Sequence, residues 1–138
     1  MTRPFTLACA VVTFAMALTV AANEKPTADY QSRMKSNGAA VQALNAHVKA
    51  LDYDAASYDA FTIRTNMAKI EAFWAEKMVD DATASARAVI KGATDVQMAA
   101  VGMDAKGLAA ASKVITDACA ACHMAHRERL SDMTFEIK

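Results

Sequence analysis

The sequence Cys119-Ala120-Ala121-Cys122-His123 places two thiols three residues apart, with an imidazole directly after the second. On an α-helix, a rotation of about 100° per residue puts Cys122 about 60° and His123 about 40° from Cys119, so all three side chains share one face. Both thiols can then bond to the two vinyl groups of one porphyrin while the imidazole reaches its iron. This spacing is the attachment pattern of a c-type haem.

Two other chemistries use closely spaced cysteines, and the sequence disfavours both. A structural zinc site needs a second pair of ligands, and the other histidines, His47 and His126, have no paired spacing. A thioredoxin-like pair belongs near a strand-to-helix junction, and no strand pattern precedes Cys119. We therefore expect one covalent haem c, attached through Cys119 and Cys122, with His123 as an iron ligand.

The first 22 residues have the three-part layout of a secretory signal peptide. A cationic start at Met1-Thr2-Arg3 precedes an apolar run of about 16 residues, Phe5 to Val20, and polarity begins at Asn23. A membrane-spanning helix needs roughly 20 such residues, so an uncleaved anchor is the weaker interpretation. We expect cleavage after residue 22, a mature chain of residues 23–138, a periplasmic location and no stable membrane insertion.

Composition indicates a single all-α domain. With 22 of its 138 residues removed, the chain keeps 116, which is enough for one domain. Cleavage also removes Cys9, so the only remaining cysteines are those of the haem motif. The mature chain has 14 basic and 15 acidic residues without long runs of either sign, which gives no reason to expect nucleic acid as a partner.

Apolar residues recur at spacings of three and four along four segments, which predicts four helices. On the first segment this seam runs from Tyr30 to Leu51. The segments are expected to begin near Thr27, Ala55 or Ser57, Asp80 and Asp104, with breaks at 52–54 and near Gly102. The boundary at 77–80 is soft, so the second and third helices could be nearly continuous. Short connections favour an antiparallel up-down four-helix bundle, a fold that can hold a cofactor in its core. Residues 131–138 show only weak patterns for secondary structure.

A signal peptide, a four-helix pattern and Cys-x-x-Cys-His in the last helix together resemble the class II c-type cytochromes, the cytochrome c′ family. The resemblance covers essentially the whole mature chain, although only the haem motif is highly specific. It implies a covalently bound haem in the core of an antiparallel bundle, single-electron transport and redox partner proteins. Members of the family are often homodimers through the first two helices.

The resemblance also supplies a second axial ligand. In the family the residue opposite the proximal histidine comes from the first helix, and Met34-Lys35-Ser36-Asn37-Gly38 is similar to the low-spin, six-coordinate branch, where the methionine sulfur binds iron. By that resemblance Met34 and His123 both ligate the iron. Gln31 occupies a position where the family often has an arginine that contacts a haem propionate. Because this chain has a glutamine there, the resemblance supports that contact less well. Ligation by histidine and methionine raises the reduction potential of the haem iron and suits an electron carrier.

The sequence leaves three functions open, and the first two differ in the role of Met34. If its sulfur binds iron, the protein is an electron carrier and not an enzyme. If it only covers an open distal face, the protein is a five-coordinate cytochrome c′ that binds nitric oxide or carbon monoxide. Peroxidase-like catalysis has less support, because His47, the nearest acid-base residue on that helix, lies several turns away and is expected at or near the surface. Methionine is also an ordinary core filler, so Met67 on an inward face is a rival ligand, while Met98 and Met103 are expected to pack.

Several residues near the motif have smaller expected roles. Arg127 is expected to oppose protonation of the proximal imidazole or to pair with a propionate, and His126 to pack or reach solvent without binding metal. Trp74 contacts either the haem or ordinary core. Gly38 and Gly92 are expected to allow a porphyrin or a neighbouring helix to come close. Alternatively, Gly92 has no such role and only lowers the stability of its helix by about 1 kcal/mol relative to alanine.

Overall fold

The structure is a computed structural model that describes residues 23–138, so the predicted signal peptide and Cys9 lie outside the described residues. Four helices make up most of the described chain, and two short strands follow them: α1 Ala28–Ala50, α2 Tyr53–Glu76, α3 Asp80–Val101, α4 Ala105–His126, β1 Arg127–Arg129 and β2 Phe135–Ile137. The prediction of a four-helix, nearly all-α chain is confirmed. Within residues 23–138, no helix is long and apolar enough to cross a membrane.

Side-chain caps explain where three of the helices begin. Thr27 accepts a hydrogen bond from the backbone N–H of Tyr30 at 3.2 Å, as predicted for the start of α1. The Asp104 carboxylate caps α4 in the same way, because it accepts a hydrogen bond from the backbone N–H of Gly107 at 3.0 Å. α2 begins earlier than predicted because the carboxylate of Asp52 caps it.

Left-handed backbone at three non-glycine residues ends the first three helices sharply. Leu51, Met78 and Met103 have φ values of 54°, 57° and 49° and lie in the three connections. Leu51 was expected on the inward seam of α1, and this expectation is wrong. As the C-cap its backbone N–H turns back to the carbonyls of His47 and Val48, and its side chain is 50% exposed.

Consecutive helices pack along their lengths, which is compatible with a helical bundle. The faces of α2 and α3 on which apolar residues recur at spacings of three and four form most of the core. The largest fully buried side chains are Trp74, Leu44, Ile63, Ile70, Leu108, Ile115, Val89 and Val96. Gly92 lets α3 approach α4, because a Cβ there would lie 2.9 Å from Cγ1 of Ile115. α1 and α4 contact each other far less than the consecutive pairs do.

The C-terminal residues, which carried only weak signals, form a hairpin with β1 antiparallel to β2 and Arg127 opposite Ile137. Glu24 pairs with Ile137 on the other edge of β2 through two backbone hydrogen bonds of 2.9 and 2.8 Å. Lys77 on α2 holds the Glu24 carboxylate at 2.7 Å. Strands of three residues are too short to produce a readable alternation in sequence.

Candidate functional site

Two adjoining cavities are lined by residues of both α1 and α4. The larger has a volume of about 630 Å³ and is bounded by α1, α4, Trp74 of α2 and the C-terminal hairpin. The smaller, about 200 Å³, is lined by residues of all four helices, including the buried Met67 and Val89. The residues common to both walls are Met34, Gly38, Cys122 and His123. Together they form a space within the usual size range of cofactor sites.

The two thiols of the motif line this space from α4. Cys119 and Cys122 are partly buried and are free cysteines. Burial raises the pKa of Cys119 to about 11, with a smaller contribution from the neighbouring Cys122. Burial also raises the pKa of Cys122, and the negative charge of Asp81 adds to it. Both sulfurs are therefore protonated at neutral pH, since the thiolate form is disfavoured.

His123 is half-buried one position beyond Cys122 and lines both cavities. Burial lowers the pKa of its imidazole, and the positive charge of Arg127 lowers it further, in the direction expected from sequence. A neutral imidazole keeps a nitrogen lone pair that a metal can bind. The guanidinium of Arg127 lies 3.4 Å from the ring centroid of Phe135, so the hairpin holds that cation beside the cavity.

Met34 is on α1, whereas the motif is on α4, and Met34 lines both cavities. Met67 on α2 is buried and lines only the smaller one. Met98 and Met103 were expected to pack, and that expectation is wrong because they are 72% and 73% exposed near the end of α3. Of these methionines, Met34 and Met67 therefore line the space that the motif lines.

An aromatic cluster forms one wall of the larger cavity. Trp74 lies 5.2 Å from Phe73 and 5.1 Å from the His126 ring, and Tyr30 lies 4.8 Å from Phe73. Burial raises the pKa of Tyr30 to about 12. His126 packs here and places Nε2 2.9 Å from a carboxylate oxygen of Asp81, consistent with its expected packing role. Trp74 belongs to the core and to the cavity wall at once.

Three buried side-chain polar atoms have no hydrogen-bond partner among the described residues, and their residues, Asn37 and Trp74, line the cavities. They are both amide atoms of Asn37 and the indole Nε1 of Trp74. Unpartnered buried polar groups are rare in folded proteins because burial removes their hydrogen bonds to water. Because these atoms lie at the cavity walls, a group bound in the cavities is a candidate for their missing hydrogen-bond partner.

The donor set at the motif consists of sulfurs and one imidazole, which are the side chains that would hold a c-type haem. Cys119, Cys122, His123 and Met34 present three sulfurs and one imidazole nitrogen to one cavity. Within residues 23–138, no group of three or more His, Cys, Asp or Glu side chains is arranged to hold a metal ion. His47 lies outside both cavities, half-buried, with Nδ1 2.7 Å from the Asp59 carboxylate.

Sequence reasoning missed part of the wall. Asn37 was noted only as a neighbour of Met34, although its spacing of three places both on one helical face. Phe135 and Ile137 line the larger cavity from the hairpin, and no sequence signal identified them. Comparison with known protein families, curated proteins and solved structures finds no match to this chain.

Proposed function

We propose that this protein is a periplasmic monohaem c-type cytochrome that carries single electrons, with the haem in the core of an antiparallel four-helix bundle. The haem is thioether-linked to Cys119 and Cys122, and His123 and Met34 ligate its iron. One observation carries the proposal: Met34 on α1 and the Cys119–His123 motif on α4, distant in sequence, line the same cavity.

The thiols supply the covalent attachment. Each thiol adds across one vinyl double bond, so that a carbon–sulfur bond forms, the S–H bond breaks and its hydrogen passes to the neighbouring vinyl carbon. This addition consumes no oxidant and needs both sulfurs reduced. Cys119 and Cys122 meet that need as free cysteines on one face of α4.

His123 on α4 and Met34 on α1 would hold the iron from two different helices. His123 supplies a neutral nitrogen, because burial and Arg127 lower the pKa of its imidazole. Met34 supplies a soft thioether sulfur from α1. A bound haem supplies a one-electron couple between ferric and ferrous iron. If both side chains ligated the iron in either state, electron exchange would require little rearrangement of the protein.

Cations on the wall of the larger cavity suit the polar edge of a haem. Lys35 and Arg127 line this cavity, and their positive charges favour the propionate carboxylates of a haem. Gln31 also lines this cavity, but its Nε2 donates to the backbone carbonyl of Pro26 at 2.8 Å. Redox partner proteins would exchange electrons at an exposed edge of the haem.

The absorption spectrum of the purified oxidised protein tests the proposal directly. Methionine ligation predicts a weak sulfur-to-iron charge-transfer band together with a low-spin spectrum. Met34→Ala is expected to abolish this band while the haem stays covalently attached. Met67→Ala is the matched control, since Met67 lines the same smaller cavity from α2, and it is expected to keep the band.

Two results would overturn parts of the proposal. A high-spin oxidised spectrum with rapid carbon monoxide binding after reduction would replace the electron carrier with the five-coordinate, gas-binding alternative. A Cys119→Ala or Cys122→Ala variant that still held haem through two thioether bonds would contradict the attachment. The expected product of either variant carries at most one such bond.

A further inference from the structure

Asn37 is a buried carboxamide without a hydrogen-bond partner among the described residues. Its side chain is on the inner face of α1, the residue is 5% exposed, and neither Nδ2 nor Oδ1 is bonded. It lines the smaller cavity beside Met34. Because an unsatisfied buried amide is strongly disfavoured, its partner is expected among the groups brought together when the cavity is filled.

Another partly buried carboxamide on the same helix behaves differently. Asn45, also on α1, accepts a hydrogen bond from the Ser112 hydroxyl of α4 at 2.9 Å. Asn45 therefore links two helices, whereas Asn37 links none. The contrast indicates that Asn37 has a role at the cavity and not in holding the helices together.

Helix geometry directs Asn37 towards Met34. The two residues are three apart on α1, so their side chains are about 60° apart around the axis and about 4.5 Å apart along it. Helical side chains lean towards the N-terminus and cover the preceding turn, which for Asn37 is the turn that carries Met34. The Met34 sulfur is a weak hydrogen-bond acceptor, and its unbranched side chain adapts easily.

We propose that Asn37 is a positioning residue for Met34, and that its Nδ2 donates a hydrogen bond to the Met34 sulfur when that sulfur ligates iron. This inference rests on the proposed function, because it needs Met34 as a ligand. The described structure has no bond between the two side chains, so the pairing requires a rotation of one of them on ligation. The bond then holds the thioether in its ligating orientation.

Competition by added imidazole tests the inference on the haem-loaded protein. Imidazole displaces Met34 from the oxidised iron, and loss of the charge-transfer band reports the displacement. Asn37→Leu removes both polar atoms at similar volume, and it is expected to bind imidazole about 2- to 10-fold more tightly, as expected from losing one hydrogen bond. Asn37→Ala serves as a second variant if leucine prevents loading, and the same direction is expected.

The matched control is Asn45→Leu, which removes a satisfied amide from the same helix. It is expected to lower Tm by about 4–8 °C while leaving imidazole affinity unchanged. An Asn37 variant that keeps the band and binds imidazole as the wild type does would overturn the inference and leave the proposed function intact. A wild-type protein without the band would instead overturn Met34 ligation, and the inference with it.

Discussion

Glu24 and Ile137, near opposite ends of the described chain, exchange two backbone hydrogen bonds of 2.9 and 2.8 Å. Ile137 is 6% exposed and packs into the core, so this pairing fixes both chain ends against the bundle. Ile137 also lines the larger cavity. The residues that follow the predicted cleavage site therefore help the C-terminal hairpin to form one wall of the candidate haem site.

Ile137→Ala is expected to lower the free energy of unfolding by about 2 kcal/mol, because it leaves a cavity where a buried side chain packed. Urea unfolding of the mature protein measures the loss. Met133→Ala changes a side chain of the same hairpin that is 65% exposed, and it is expected to stay within about 0.5 kcal/mol of the wild type. Equal effects of the two changes would show that the hairpin is not anchored through Ile137.

The unloaded protein is expected to lose stability as pH rises from 9 to 11. Burial raises the pKa of Cys119 from 9.0 to about 11, so the folded state holds this proton more tightly than the unfolded state. The resulting stabilisation is fully present below pH 9 and disappears as pH approaches 11, a loss of about 2 kcal/mol. Urea unfolding across this pH range measures it.

Two comparisons isolate the thiol in that experiment. If haem is attached as proposed, the sulfur in the loaded protein is a thioether that does not titrate, so the Cys119 contribution to the pH dependence of stability should vanish. Tyr30, whose pKa burial raises from 10.0 to about 12, contributes between pH 10 and 12 in both forms, so it cancels when the two forms are compared. Unloaded Cys119→Ala should lose the Cys119 contribution and keep that of Cys122, whose pKa burial also raises. A loaded protein with the same slope as the unloaded protein between pH 9 and 11 would contradict the thioether.

Gly92→Ala is expected to destabilise the unloaded protein by about 1–3 kcal/mol through overpacking. The added Cβ would lie 2.9 Å from Cγ1 of the fully buried Ile115 and 3.4 Å from the backbone oxygen of Ala111. Gly38→Ala is the control, because nothing lies within 4 Å of its Cβ position and helix propensity favours alanine. Thermal unfolding should move the two variants in opposite directions; a stabilised Gly92→Ala would exclude a close α3–α4 approach.

Gly38→Leu is expected to reduce haem loading several-fold while the protein still folds. Gly38 lines both cavities, so a large side chain there occupies the space that the cofactor needs. The ratio of haem absorbance to protein measures loading, and circular dichroism checks the helices. Ala39→Leu places the same side chain at the next, exposed position of α1 and should load normally. Full loading of Gly38→Leu would place the cofactor elsewhere.

The four helices were predictable because their determinants are local. Capping by Thr27 and Asp104 depends on residues within one turn, and the buried faces of α2 and α3 follow from the spacing of apolar residues. The helix boundaries were mispredicted where the backbone conformation of a single residue, or a side-chain cap, had more influence than the spacing of apolar residues. Leu51 left the core in a left-handed C-cap, and Asp52 started α2 before the first residue of the predicted segment.

The Cys119–His123 motif is likewise local, so the sequence by itself determined the attachment prediction and the shared helical face. Only the tertiary structure decided that Met34 lines the same cavity, that Asn37 is buried there without a partner, and that Glu24 pairs with the hairpin. The physical reason is that burial and hydrogen-bond satisfaction depend on neighbours from other elements. Those neighbours become adjacent only when the helices pack.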